Sequence, residues 1–301
     1  MDHSHRNANL VLLLASAIWG FAFVAQRVGM DHMGPMYFNA IRFALGAAVL
    51  MPVLFFGLPG RKPAPLIVGQ RKHLLLGGLL AGFLIFGGST FQQFGVVYTT
   101  AGKAGFITGL YVVFVPLLGL LRGMKTRREI WIGAALAALG LFLLSGKGWG
   151  GIGLGDGLVL VGTLFWASHV LAVGWLAPRV NPLALAVMQF LVCSLLAFIG
   201  AFVFEELPPD ALKNAAIPIL YAGILSVGAA YTLQISGQRK AHPAHAALIL
   251  SMEGVFAALG GWIILSESLS PRGIIGCVLM LTGIILAQGN PLSRKNKADM
   301  V

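Results

Sequence analysis

The sequence predicts an all-α integral membrane protein with ten transmembrane helices, arranged as two inverted five-helix repeats with both termini in the cytoplasm. Three observations lead there: a composition that water cannot solvate, an alternation of positive charge between apolar runs, and a resemblance between the two halves of the chain. The 301 residues are 57% hydrophobic and only 10% charged, with a mean hydropathy of +0.85. Ordinary soluble domains carry about 25% charged residues, so the medium around most of this chain must be lipid. The 40 glycines fit the same reading, because small residues let helices approach closely in a bilayer.

A bilayer-spanning helix needs about 20 apolar residues. Such runs occur at 8–28, 35–57, 73–99, 103–121, 129–146, 156–176, 182–204, 213–236, 243–265 and 272–289. Breaks such as Leu58-Pro59-Gly60-Arg61-Lys62, Gly148-Trp149-Gly150-Gly151 and Leu207-Pro208-Pro209-Asp210 carry ordinary turn residues. The first run lacks a small-residue cleavage motif and reads as a helix, not a signal peptide.

The net charge of +11 comes from basic clusters between these runs. No nucleic-acid-binding motif accompanies them, so they read as topology signals. Arg6, Arg61, Lys62, Arg71, Lys72, Arg122, Lys125, Arg127, Arg128, Arg179, Arg239, Lys240, Arg294, Lys295 and Lys297 fall on one side. Arg27, Lys103, Lys147, Lys213 and Arg272 fall on the other, and Arg42 lies inside a helix. The positive-inside rule assigns the richer side to the cytoplasm, with residues 290–301 as a cytoplasmic tail. The expected location is the inner (plasma) membrane.

The halves align in order. Asn9-Leu-Val-Leu-Leu-Leu-Ala-Ser-Ala-Ile-Trp19 lies over Asp156-Gly-Leu-Val-Leu-Val-Gly-Thr-Leu-Phe-Trp166. Pro35 then meets Pro182, Arg42 meets Gln189, Gln92 meets Gln234, Lys103 meets His245 and Tyr111 meets Glu253. Five helices per copy is odd, so residues 8–146 and 155–289 enter the membrane from opposite sides. Inverted repeats characterise secondary transporters, whose solute site lies near the midplane between the copies.

The stretch Ile18-Trp-Gly-Phe-Ala-Phe-Val24 with Pro35 and Ala40-Ile-Arg-Phe43 resembles the start of the EamA repeat of the drug/metabolite transporter superfamily. His245 through Glu253 to Trp262, then Glu267 and Gly276 to Gly283, resembles the close of the same repeat. The resemblance covers about residues 8–289. It implies ten helices in two inverted repeats and the export of small metabolites, amino acids among them. Two positions depart from the family pattern. Gly254 stands where Pro is usual, and Arg122-Gly123-Met124-Lys125 stands where the first repeat often carries Glu.

Charged and polar groups at membrane depth are expensive, which makes each a candidate site residue. Glu253 reads as a substrate or proton contact, or as a structural acid paired with Arg42 or capped by hydroxyls such as Ser251. Arg42 can fork onto a carboxylate, or snorkel to the interface. His169 suits a pH-sensitive contact, or simple packing. Gln92, Gln93 and Ser89 form a polar patch that Gln234 repeats. Trp19, Tyr98, Tyr111, Trp166 and Tyr231 are candidates for an aromatic wall, with interfacial belts as the alternative. Trp19 and Trp166, at matching repeat positions, favour the cavity. Lys103 reads as a helix start at the outer surface. His242 and His245 share a face without a thiol or carboxylate partner, and Cys193 and Cys277 lie in apolar runs, so neither a metal nor a cofactor is expected. There is no nucleotide-binding Gly-Lys loop and no catalytic triad, so the chain is not expected to be an enzyme. The expected partners are a small-molecule substrate and membrane lipid, without nucleic acid, and a monomer suffices to enclose a site. The rival functions are a broad exporter of drugs or lipophilic cations and an intramembrane lipid-modifying enzyme.

Overall fold

A computed structural model describes residues 3–57, 70–144, 153–268 and 270–287. The basic residues Arg61, Lys62, Lys147, Arg294, Lys295 and Lys297, the break at Gly148–Gly151 and the tail 290–301 lie outside them.

Every described element is helical. The first half comprises α1 (His3–Gly29), α2 (Pro35–Phe56), α3 (Arg71–Val97), α4 (Ala101–Gly109), α5 (Tyr111–Leu121) and α6 (Arg128–Leu144). The second comprises α7 (Leu154–Leu176), α8 (Pro182–Phe204), α9 (Ala211–Asn214), α10 (Ala216–Leu220), a π-helix (Tyr221–Ala230), α11 (Tyr231–Gln238), α12 (Pro243–Leu250), α13 (Glu253–Leu265) and α14 (Pro271–Ala287). Eight helical runs are long and apolar enough to cross a membrane, with α4–α5, α10–α11 and α12–α13 each counted as one run. The helices α6 and α14 are 17 residues each.

Starts follow local chemistry. Proline opens α2, α8 and α12, where its missing N–H is no loss and its fixed φ suits the first turn. The Asn181 side chain accepts the Leu183 and Ala184 N–H groups at 2.9 and 3.2 Å, and Thr100 caps α4 through Lys103 N.

The exterior is apolar. Leu79, Leu80 and Phe83 of α3, Leu195, Ile199 and Phe202 of α8, and Ile274, Ile275 and Val278 of α14 are exposed. A soluble monomer does not tolerate such a surface, whereas lipid does. The interior mixes phenylalanine, leucine, isoleucine and valine with many alanines, glycines and polar side chains, so association rests on close packing and hydrogen bonds. The closest approach of a glycine to another helix's backbone is at the α6–α14 crossing. A Cβ added at Gly140 would lie 2.4 Å from Gly276 O, and one at Gly133 would lie 2.7 Å from Gly283 O. Backbone meets backbone there, with no flexible side chain to yield. Gly140→Ala is therefore expected to destabilise the bundle by about 1–3 kcal/mol, read as a lower midpoint of thermal unfolding in detergent. An unchanged midpoint would show that the crossing is looser than this.

Three of the expected spans are present but depart locally from regular α-helix. The runs 103–121 and 243–265 are interrupted rather than continuous. The run 213–236 contains the π-helix, a winding frequently found at functional sites.

Several polar contacts between the halves lie at helix ends. Glu205, just past α8, accepts the Met36 and Tyr37 N–H groups of α2, both at 2.9 Å. Glu267, just past α13, accepts those of Ala101 and Gly102 of α4 at 3.1 and 3.2 Å. Lys103 Nζ lies 2.5 Å from Asp156 Oδ2 in α7. At the N-terminal ends of α1 and α12, His245 Nε2 stands 3.1 Å from Asn9 Oδ1.

Candidate functional site

The two interrupted helices build the site. Leu110 (ψ −11°) separates α4 from α5, and Ser251 and Met252 (ψ −13° and −14°) separate α12 from α13. The turns tighten to three-residue bonds: Leu110 N to Ile107 O at 3.1 Å, Met252 N to Ile249 O at 3.2 Å, and Gly254 N to Ser251 O at 3.1 Å. A tightened turn inside a helix often marks a functional hinge. These breaks put Tyr111 and Glu253, which align in the repeat, at the first positions of α5 and α13.

Between the breaks lies a cavity of about 40 Å³, room for a few waters. Both halves line it. The first contributes Trp19, Phe23, Gln26, Arg42, Gln92, Thr108 and Tyr111. The second contributes Trp166, His169, Val170, Ser226, Tyr231, Gln234, Leu250 and Glu253.

Tyr231 is the aromatic hub. Its ring centroid lies 4.7 Å from Trp19, 5.6 Å from Phe190, 6.1 Å from Phe43, 6.2 Å from Trp166 and 6.0 Å from His169. These separations suit edge-to-face contact. Both indole N–H groups reach across to the opposite half: Trp19 donates to Ser226 O at 3.1 Å and Trp166 to Gln92 Oε1 at 2.8 Å. Gln92 Oε1 also accepts from Thr108 at 3.4 Å, and its amide nitrogen donates to Gln26 Oε1 at 2.9 Å. This saturated network fixes the amide and holds Trp166 upright against the cavity.

The charged groups are less satisfied. Arg42 donates from Nε to Asn39 Oδ1 at 3.0 Å and lies 4.9 Å from the Phe43 ring centroid. Glu253 and the Tyr111 hydroxyl are neighbours, yet Tyr111 Oη and Glu253 Oε1 are buried without a hydrogen bond of good geometry. Gln234 Oε1 is likewise buried and unpartnered. The pairing of Glu253 with Arg42, one of the alternatives read from the sequence, is not formed within 4.0 Å.

Among the residues expected at the site, Trp19, Arg42, Gln92, Tyr111, Trp166, His169, Gln234 and Glu253 line the cavity. Gln93 does not: its amide donates to Gln26 O at 3.2 Å, behind the wall. His169 meets Gln189 Oε1 at 3.1 Å. Tyr98, offered as part of the aromatic wall, is 65% exposed and stands outside it. Lys103 is tied to Asp156, which also accepts from Thr99 Oγ1 and Gly153 N, both at 3.0 Å. The shared face of His242 and His245 dissolves into two tasks, since His242 Nδ1 accepts from Ala244 N and His245 meets Asn9. Gln26, Thr108 and Ser226 were missed. The i, i+4, i+7 spacing of Trp19, Phe23 and Gln26 was the available signal for the first.

An apolar exterior, eight helical runs among the described residues long and apolar enough to cross a bilayer, and a cavity at the core define a multi-pass integral membrane protein. The chain belongs to the EamA-like transporter family, whose family model matches residues 6–146 and again 153–288. It is 31% identical to an uncharacterized transporter of Archaeoglobus fulgidus over 281 residues, covering 93% of this chain and 85% of the other. It is 24% identical to a probable amino-acid metabolite efflux pump of Salmonella typhimurium, covering 93% and 94%. The uncharacterized inner membrane transporter YedA of Escherichia coli is 28% identical over 70% of this chain and 65% of its own. A solved crystal structure at 20% identity superposes with a TM-score of 0.75 over 96% of this chain and 98% of that one, which shows a shared fold. The protein is thus a membrane transporter.

Proposed function

We propose that the chain is a secondary transporter that exports small metabolites, amino acids foremost, by alternating access across the inner membrane. Ten crossings in two inverted repeats, 8–146 and 155–289, would carry both termini on the cytoplasmic side. The observation that carries this is the cavity itself: aligned repeat positions face it from opposite halves, Trp19 with Trp166, Gln92 with Gln234, and Tyr111 with Glu253. A site shared so evenly is exposed to one side or the other when the halves rock. The twofold match of the family model supports the two-repeat reading, and the name of the Salmonella relative supports amino-acid export.

Latches at the helix ends support alternation. Lys103–Asp156 and His245–Asn9 occupy aligned positions of the two halves. Each would close one end of the path. The end with the ion pair also carries the Glu205 and Glu267 caps. The other has Arg122-Gly123-Met124-Lys125 where a second such Glu would stand.

Proteoliposomes loaded with labelled amino acids, sugars or cationic dyes test the reading. Exchange of labelled for unlabelled neutral amino acid is expected. Exchange of dyes alone would favour a broad cation exporter, and no exchange of any class would defeat transport altogether.

A further inference from the structure

We infer that the cavity selects solutes bearing both an ammonium and a carboxylate, with Arg42 receiving the carboxylate and Glu253 the ammonium. This rests on the transporter reading and adds the charge pattern of the solute. Among the described residues, the charged side chains that are buried are Arg42, Asp156 and Glu253. Asp156 is paired with Lys103. Arg42 and Glu253 have no ionic partner within 4.0 Å, not even each other, although both line one cavity. Two opposite charges held apart at membrane depth are costly and mark a solute path. Had the fold needed them only for stability, closing them onto each other would have neutralised both.

Their local geometry leaves each one open in a particular way. Asn39 occupies Arg42 Nε, and the Phe38 and Phe43 rings lie against the guanidinium at 5.7 and 4.9 Å. Among the described residues the two terminal nitrogens keep no hydrogen-bond partner, and that planar edge matches a carboxylate bidentately. Glu253 sits in the first turn of α13, where the helix dipole favours a negative charge. Its buried Oε1 has only the Tyr111 hydroxyl for a neighbour and no hydrogen bond of good geometry, so an incoming N–H donor would satisfy it. A net cation would meet Arg42 uncompensated, and a net anion would meet Glu253. A dipolar solute satisfies both. Trp19, Trp166 and Tyr231 complete the wall and suit an apolar side chain.

The test is calorimetric binding to the full chain in nanodiscs, using L-leucine, L-leucinamide (no carboxylate) and N-acetyl-L-leucine (no ammonium). Wild type is expected to bind L-leucine about 10- to 100-fold more tightly than either analogue, the range for losing a charged hydrogen bond. Arg42→Gln is expected to erase the preference over the amide and keep that over the acetyl compound. Glu253→Gln is expected to do the reverse. The wild-type panel stands even if a variant misfolds. Failure to bind L-leucine, equal binding of all three, or variants that weaken all three alike would overturn the inference. Proteoliposomes that exchange a cationic dye but not leucine would sink it while sparing transport. Proteoliposomes that exchange nothing would sink transport itself.

Discussion

Replacing Gly20 with valine is expected to cut solute exchange by about 100-fold or more while the chain still reaches the membrane. Gly20 of α1 packs directly on the start of α13, beside the break that follows α12. A Cβ there would lie 2.2 Å from Phe256 Cβ and 2.8 Å from both Ala257 N and Glu253 O. Two of those three atoms are backbone, so α13 must move as a body. Overpacking of this kind costs about 1–3 kcal/mol, which a bundle of this size can survive. The cavity cannot: Trp19 is the adjacent residue and Glu253 is part of the displaced turn. A misplacement of about 1 Å at a positioning site commonly costs about 100-fold. Gly157→Ala is the control, since nothing lies within 4 Å of its added Cβ. Initial exchange rates in proteoliposomes decide the matter. A Gly20→Val protein that transports like wild type would show that the α1–α13 contact does not shape the path.

The second large effect concerns the caps. Glu205 and Glu267 each accept two backbone N–H groups of a helix in the other half. A carboxylate at a helix N-terminus contributes about 1–2 kcal/mol. Glutamine keeps the size but loses the charge and one acceptor. The double variant Glu205→Gln/Glu267→Gln should therefore shift the balance by about 2–4 kcal/mol toward opening at that end, about 30- to 1,000-fold in population. The probe is a cysteine at Thr108, which lines the cavity, in a chain whose Cys193 and Cys277 are replaced by alanine. Labelling by an impermeant maleimide from outside the cell is expected to rise at least about tenfold. Unchanged labelling, or an equal rise from the cytoplasmic side, would mean the caps hold helices together without gating them.

The helical architecture was legible because lipid imposes a simple rule, about 20 apolar residues per crossing. The hinges were not. Leu110, Ser251 and Met252 are compatible with a continuous helix, and no residue type there signals a break; the two interrupted runs pack on each other through Gly105 and Ala257, a contact no local pattern encodes. The π winding of Tyr221–Ala230 also depends on distant contacts, among them Trp19 Nε1 to Ser226 O and Tyr221 Oη to Ile18 O at 3.0 Å. At the site, expense at membrane depth pointed to Arg42 and Glu253, and the repeat pointed to the tryptophans. Gln26 was hidden by its place near a helix end, beside Arg27. Asp156 was aligned with Asn9, but its partner Lys103 lies 53 residues away, a pairing no local pattern encodes. Tyr98 shows the converse error, an aromatic residue at a helix end that faces outward.

The glycine crossing of α6 on α14 joins residues about 140–150 positions apart. It is one case of a wider pattern: α2 packs on α8, α3 on α7 and α8, and α1 on α12 and α13. The main partner of nearly every helix in the first half is made later on the ribosome. The two repeats are therefore not folding units. The close-packed faces of the first half find their main partners only in the second half. The packing of the molecule belongs to the whole chain.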